Sequence, residues 1–207
     1  MNINTAEFVI FDVETTGLSV AEGDRIVEIA AVRVKDGQIV AEFHSLINPK
    51  RALSQEAMNI NQITEEMIAD APYSEAILPT LIDFIGGGCV AGHNVRFDLN
   101  FLGYELALMG RKIKDETPVV DTLKMSKELV PYLSSHRLGY IARSLGVSVG
   151  ETHRAMADVK LTAAVFLKLM DMAHDKEITH ITKFLDQFGV EKPTFKLNQV
   201  TAQASLF

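Results

Sequence analysis

Apolar and polar positions along the chain follow two repeats, one typical of strands and one typical of helices. Continuous apolar runs, such as residues 8–11, are typical of strands that are buried on both faces. Turn-forming residues at 15–17 end the first run, and those at 35–38 separate the second run from the third. The pattern predicts five strands near residues 7–13, 26–34, 38–46, 89–92 and 118–121.

Apolar residues spaced by three and four positions predict the helices. This spacing relates Phe97, Phe101, Tyr104 and Leu108, and a similar apolar side runs through residues 152–172. We expect helices over about residues 74–85, 95–109, 122–130, 136–145, 154–173 and 177–188. The mixture of strands and helices predicts the α/β fold class.

The predicted organisation is one domain followed by a short extension and a tail. Residues 1–175 contain all the predicted strands and most of the helices, and residues 176–188 add a C-terminal helical extension. Gly189 and Pro193 then break the helical pattern, and the mostly polar residues after them predict a flexible tail over 189–207.

Composition limits the classes of protein that remain. With 207 residues, 47% of them hydrophobic and 23% charged, the chain can bury one substantial core. The single cysteine, Cys89, excludes an internal disulfide and is expected to be a small core residue. The formal charge of −7 argues against a general nucleic-acid binder, which needs clustered Lys and Arg. We expect neither a signal peptide nor a membrane span, and therefore a cytoplasmic protein.

Candidate chemistry begins at the end of the first predicted strand. Asp12 and Glu14 are two residues apart, so the period of a strand places both carboxylates on one face. Ligands of open α/β sheets bind at the carboxyl ends of strands. Taken alone, the pair also fits a solvated strand end, and only further acidic residues favour a site.

Two later segments supply such residues. Asp98 follows His93 and Asn94 near the start of a predicted helix, where a lone carboxylate also fits a surface position that complements the helix dipole. His93 and Asn94 are expected to cap this helix or to fix the turn. His153 and Asp158 lie near the start of another predicted helix, and alone they also fit a capped surface helix. Together, the four carboxylates and the histidine predict a nuclease site that holds two divalent cations and activates a water.

The three motifs D-x-E-T-T-G, H-N-x-x-F-D and H-x-A-x-x-D together resemble those of the DEDDh subgroup of 3′-to-5′ exonucleases. Over about residues 8–172 the chain is similar to the bacterial DNA polymerase III epsilon subunits and to the proofreading exonuclease domains of related replicative polymerases. The resemblance implies a ribonuclease H-like fold, with a mixed five-stranded sheet and helices on both of its faces. In this fold the first three predicted strands would be antiparallel and the last two parallel. The resemblance also identifies residues 1–175 as the DEDDh exonuclease domain.

The resemblance also implies roles for the five residues. Hard oxygen ligands from Asp12, Glu14, Asp98 and Asp158 suit two divalent cations, Mg²⁺ or Mn²⁺, with Asp12 bridging both. His153 would act as the general base that takes a proton from the attacking water, a role for which histidine is suited because it titrates near neutrality. The product would be a nucleoside 5′-monophosphate released from a 3′ end.

The same resemblance assigns residues to the substrate. The predicted substrate-binding residues are Thr15, Thr16, Gly17, Leu18, Asn61 and Asn94. Gly17 would permit close approach of the terminal nucleotide because it has no side chain. Asn61 stands where many relatives carry histidine, which leaves its contact with the substrate open. Arg96 fits either a phosphate contact or a solvated surface position.

The last five residues suggest a partner. Residues 203–207 resemble the bacterial sliding-clamp binding pentapeptide, in which Gln203, Leu206 and Phe207 would enter a pocket on the clamp. The alternative is a frayed terminus that happens to end in two apolar residues. Because an acidic enzyme has weak intrinsic affinity for DNA, a DNA polymerase or a clamp that holds it near the primer end would raise its local concentration there.

Three functions remain open on the sequence. The first is a DNA 3′-to-5′ exonuclease for proofreading or repair, acting on single-stranded 3′ ends or frayed primers. The second is an RNA 3′ exonuclease similar to ribonuclease T or oligoribonuclease, which shares all five catalytic positions. The third is a non-catalytic scaffold module of the replisome, which retention of every carboxylate and the histidine disfavours. Activity on matched DNA and RNA oligonucleotides separates the first two.

Overall fold

The computed structural model describes residues 1–150 and 154–195, with a five-stranded sheet at its centre. The strands are β1 (Phe8–Thr15), β2 (Ile26–Lys35), β3 (Gln38–Leu46), β4 (Cys89–Gly92) and β5 (Val119–Asp121). Their order is β3-β2-β1-β4-β5. The first three strands pair antiparallel, whereas β4 runs parallel to both β1 and β5. The predicted mixed sheet and its strand directions are confirmed.

Eight α-helices lie within the described part of the chain. They are α1 (Gln55–Asn61), α2 (Glu65–Ile68), α3 (Ser74–Ile85), α4 (Arg96–Leu108), α5 (Thr122–Leu129), α6 (Leu138–Ser144), α7 (Ala155–Asp175) and α8 (Ile181–Phe188). The last six correspond to the predicted helices, but α1 and α2 were not predicted. These two helices are short and bury only Ala57, Asn61 and Ile68, so they present almost no apolar repeat.

Strand β1 is buried between two apolar layers, which explains its continuous run of apolar residues. On one side, Phe8 packs against α7, where its ring meets that of Phe166 edge-on at a centroid distance of 4.8 Å. On the other side, Val9 and Phe11 lie in the layer formed with α3 and α4. Helices therefore cover both faces of the sheet, and α4 and α7 both pack directly against β1.

The segment after α7 packs onto the same core. Phe184 and Phe188 of α8 are fully buried in the layer that contains Phe8. Residues 189–195 continue along the molecule, since the Val190 N–H donates to the Val119 carbonyl at 3.0 Å and Phe195 packs against Gly103. The division into domain, extension and tail stays a prediction. No helix in residues 1–150 or 154–195 is long and apolar enough to cross a membrane.

Candidate active site

Three of the predicted carboxylates converge at the end of β1. The strand period places Asp12 and Glu14 on one face, and Asp158 lies in the first turn of α7, which packs against β1 and β2. One carboxylate oxygen from each of the three lies within 4.8 Å of the others. The structure thus brings three of the predicted ligands together at the carboxyl end of a central strand, and their binding of a cation stays a prediction.

Asp98 lies beside the same strand. It is in the first turn of α4, where only 4% of its surface is exposed, and its Oδ1 accepts the Val13 N–H at 3.1 Å. The carboxylate is thus tied to the backbone between Asp12 and Glu14. The surface alternative for Asp98 is wrong, because α4 packs its first turn against β1 instead of leaving it in solvent.

The electrostatics of the cluster are unfavourable without a cation. Burial raises the pKa of Asp12 well above its usual range, and the charge of Asp98 adds to the rise. Burial likewise raises the pKa of Glu14 to about 7, with further contributions from Asp158 and Glu28. Burial also raises the pKa of Asp98 to about 8, although the Val13 N–H opposes the rise.

The donor set fits a divalent cation. Carboxylate oxygens are the hard ligands that such ions prefer, and crowding them in a partly buried cluster costs free energy that a cation would offset. Among the described residues, no lysine or arginine forms an ion pair with Asp12, Glu14 or Asp98. The acidic cluster therefore indicates divalent metal use.

The turn before α4 is held by a different carboxylate. Asn94 has a left-handed backbone (φ 58°), and its N–H donates to Asp121 Oδ1 at 2.9 Å. His93 Nδ1 lies 2.9 Å from the Thr122 hydroxyl. The residue that precedes α4 is Val95, and no side chain caps the helix. Of the two expected roles, His93 and Asn94 fix the turn and do not cap the helix, and substrate contact by Asn94 stays a prediction.

The loop after β1 is organised by Asp24, which sequence reasoning missed. Thr16 Oγ1 donates to Asp24 Oδ1 at 2.8 Å, and the Ser19 N–H donates to Oδ2 at 3.1 Å. A Cβ on Gly17 would lie 2.3 Å from Asp24 Oδ2. The structure therefore gives an intramolecular reason for the glycine: it leaves room for the carboxylate that shapes the loop. Arg51 Nη1 lies 3.4 Å from the same carboxylate.

A cleft of about 730 Å³ opens beside this loop, a volume in the range of small-ligand sites. Its lining includes Glu14, Thr15, Thr16, Gly17, Leu18, Asn61 and Phe97. Leu18 is 82% exposed, so a large apolar side chain faces solvent at this cleft. Five of the six predicted substrate-binding residues thus line one cleft that also reaches the acidic cluster.

Asn61 is held from inside the protein. Its Nδ2 donates to the Thr15 carbonyl at 3.3 Å, and its Oδ1 accepts the Ile63 N–H at 3.0 Å. With only 2% of its surface exposed, Asn61 joins the end of α1 to the end of β1. Its contact with substrate stays a prediction. Arg96 is exposed, which is consistent with both of its alternatives, and its role stays a prediction. The remaining predicted site residues, His153, Gln203, Leu206 and Phe207, lie outside the described residues.

Comparison with known proteins identifies the family to which this chain belongs. The family model described as Exonuclease matches residues 9–166, about three-quarters of the chain. This chain belongs to the exonuclease family. The resemblance to 3′-to-5′ exonucleases that the three motifs predicted is confirmed.

Several individual proteins are similar to this exonuclease in sequence, in fold or in both. It is 30% identical to Exonuclease X, solved in complex with 5′ overhanging duplex DNA, with a TM-score of 0.67 over 81% of this chain and 93% of that one. It is 37% identical, over 91% of its length, to the DNA polymerase III PolC-type of Oceanobacillus iheyensis, and 35% identical, over 88%, to that of Bacillus subtilis. The chain spans 13% of the length of each of these polymerases. E. coli Exonuclease I in complex with a dT13 oligonucleotide, at 20% identity, has the same fold, with a TM-score of 0.74 over 84% of this chain and 43% of that one.

Proposed function

We propose that this exonuclease uses divalent cations to release nucleoside 5′-monophosphates from DNA 3′ ends, in proofreading or repair. The observation that supports the proposal most directly is the cluster of Asp12, Glu14 and Asp158 at the edge of a nucleotide-sized cleft. The relatives of this chain point to DNA, since they include DNA polymerases of the III PolC type and an exonuclease solved with duplex DNA.

Asp12, Glu14 and Asp158 would hold the cations, Mg²⁺ or Mn²⁺, and Asp98 would contribute from beside the strand. When bound, such cations stabilise negative charge on the attacking and leaving oxygens of a phosphodiester. The loop of residues 15–18 would hold the terminal nucleotide in the cleft. His153 would accept the proton of the attacking water as general base.

The proposal is tested by nucleotide release from a 3′-labelled single-stranded DNA, a mismatched duplex and an RNA of the same sequence. Each substrate is assayed with Mg²⁺, with Mn²⁺ and with EDTA. We expect release from DNA with either cation and none in EDTA, and the Asp158→Asn variant is expected to be inactive. Faster release from RNA would favour the ribonuclease T-like alternative. Cation-independent release, or an active Asp158→Asn variant, would contradict the proposed site.

We also propose two partners, a DNA polymerase and a bacterial sliding clamp. The similarity to polymerase chains supports the first partner. The resemblance of residues 203–207 to the clamp-binding pentapeptide supports the second, with Gln203, Leu206 and Phe207 as contacts. An enzyme with a formal charge of −7 gains from either tether, because its own attraction to DNA phosphates is weak.

A further inference from the structure

A buried carboxylate outside the predicted site connects β2 to the start of α7. Glu28 lies opposite Glu14 in the pairing of β2 with β1, and only 1% of its side chain is exposed. Its Oε2 accepts Arg154 Nε at 3.1 Å, and its Oε1 accepts Arg154 Nη2 at 2.8 Å. Oε2 also accepts the Ala155 N–H at 3.1 Å. Glu28 therefore accepts three hydrogen bonds, two from Arg154, which immediately precedes α7, and one from Ala155, its first residue.

The same carboxylate has a further partner on the neighbouring strand. His44 Nε2 lies 2.8 Å from Glu28 Oε1, so β3 also contributes to the cluster. Burial by itself would raise the pKa of Glu28, but hydrogen bonds from Arg154, His44 and Ala155 outweigh it and lower the pKa below its usual range. The pKa of Glu28 is therefore lowered, whereas that of Glu14, its partner on β1, is raised. Both carboxylate oxygens of Glu28 accept hydrogen bonds from other residues of the protein.

This contact lies next to two predicted site residues in the chain. The residue before α7 makes no side-chain capping hydrogen bond. Glu28 on β2 instead accepts a hydrogen bond from the Ala155 N–H, one of the N–H groups that the first turn of a helix leaves unpaired. Asp158 lies three residues after Ala155, in that same turn. His153, the proposed general base, immediately precedes Arg154 in the sequence.

We propose that Glu28 is a positioning residue for the exonuclease reaction, acting through Arg154 and the Ala155 N–H. The contact fixes the first turn of α7 against β2, and this brings Asp158 to Asp12 and Glu14. Glu28 itself touches neither substrate nor cation. The inference rests on the proposed function, since it assigns a role within the same reaction.

The chain offers a matched control for the loss of a buried carboxylate. Glu105 of α4 is also 1% exposed, its Oε1 and Oε2 accept Arg25 Nε and Nη2 at 2.7 and 2.6 Å, and it accepts the Ile26 N–H at 3.4 Å. It therefore has the same kind of partners as Glu28, but it anchors α4 about two turns after Asp98, whereas Glu28 anchors the same turn that carries Asp158. A substitution at Glu105 reports what general destabilisation does to activity.

The experiment compares wild type, Glu28→Gln, Arg154→Gln, the double variant and Glu105→Gln on a short single-stranded DNA with saturating Mg²⁺. Thermal melting establishes the temperature at which each variant is folded. Glutamine keeps the size of Glu28 but has one acceptor oxygen instead of two, so it cannot form the paired contact with the guanidinium. We expect kcat to fall about 10- to 100-fold in Glu28→Gln with KM nearly unchanged, because small displacements of reacting groups are that costly. Glu105→Gln should lose thermal stability but keep its kcat below the melting temperature.

The double variant decides whether Glu28 acts through Arg154. If it does, removing both residues lowers kcat about as much as removing either one, because the two effects are not additive. Additive losses, a Glu28→Gln kcat within about twofold of wild type, or an equal kcat loss in Glu105→Gln would each overturn the proposal.

If Glu28→Gln does not fold, the variant Arg154→Lys tests the proposal instead. The Arg154 side chain is 39% exposed, and lysine cannot make the paired contact, so an intermediate loss of kcat is expected and an unchanged kcat overturns the proposal. A wild type without cation-dependent release refutes the proposed function itself, whereas an active wild type with an unaffected Glu28→Gln variant refutes only the positioning role.

Discussion

Replacing Glu14 with glutamine should stabilise the cation-free protein at pH 8. Burial and the neighbouring charges of Asp158 and Glu28 raise the pKa of Glu14 from its usual 4.5 to about 7. A carboxyl group with a higher pKa in the folded state binds more protons folded than unfolded between those two values. Raising the pH through that window therefore lowers stability, and the loss is complete above about pH 7.

The size of the effect depends on the width of the window. At about 1.4 kcal/mol for each pH unit, the ionisation of Glu14 in the folded protein costs at most about 3 kcal/mol at pH 8. Glu14 is partly exposed and shares its repulsion with neighbours, so we expect the substitution to recover about 1–3 kcal/mol. For a protein of this length that corresponds to a rise in Tm of about 2–12 °C. At pH 5 the gain should fall below about 1 kcal/mol.

The assay is thermal unfolding in EDTA at pH 5 and pH 8, followed by titration with Mg²⁺. Wild type should gain stability when the cation binds the folded state, and Glu14→Gln should gain much less because it has lost a ligand. Glu105→Gln is the control of opposite sign, since its carboxylate is paired with Arg25 and its removal should lower Tm at both pH values. The reasoning is refuted if Glu14→Gln melts at or below the wild-type temperature at pH 8 in EDTA.

Three further predictions concern the loop after β1, the proposed general base and the last five residues of the sequence. Gly17→Ala should displace Asp24, destabilise the protein by about 1–3 kcal/mol and raise KM for DNA. The control Gly87→Ala, with no atom within 4 Å of the new Cβ, should change neither the melting temperature nor the kinetics. Equal effects of the two substitutions would contradict the packing argument. His153→Ala should lower kcat by about 10²–10⁴-fold and leave the affinity for Mg²⁺ unchanged; lost cation affinity would make His153 a ligand instead. Deletion of 203–207 should leave activity on short oligonucleotides intact but lower it on primed DNA that carries a sliding clamp, and equal clamp affinity of the full and truncated chains would exclude the tether.

The parts of the fold that could be predicted from sequence are those with a strong local repeat. Strand β1 was predicted because both of its faces are buried, and α4 and α7 because each presents an apolar side along several turns. Helices α1 and α2 were missed because seven and four residues are too few for a repeat to be detected. The left-handed backbone of Asn94 was also not predicted, since asparagine adopts it only where the surroundings require it.

In the candidate site, the residues that could be predicted from the sequence are those placed by the period of a strand or recognised by a motif. The residues that were missed are those whose role depends on contacts with distant parts of the chain. Asp12 and Glu14 share a face because they are two residues apart in a strand. Glu28 bonds a residue 126 positions away, and no local pattern reports that. Asp24 is missed for a related reason, because its partners in residues 16–19 reach it only after the loop has folded back.

Whether a buried carboxylate stabilises or destabilises this exonuclease depends on whether it has an arginine partner. Glu28 and Glu105 each accept two hydrogen bonds from an arginine and stabilise the joints between strands and helices. Asp12, Glu14 and Asp98 have no such cation partner among the described residues, so their burial costs stability. The repulsion that destabilises the cation-free protein is also what a divalent cation offsets on binding. A substitution that removes a site carboxylate should therefore gain stability and lose cation affinity together, and the two properties cannot be improved separately at these positions.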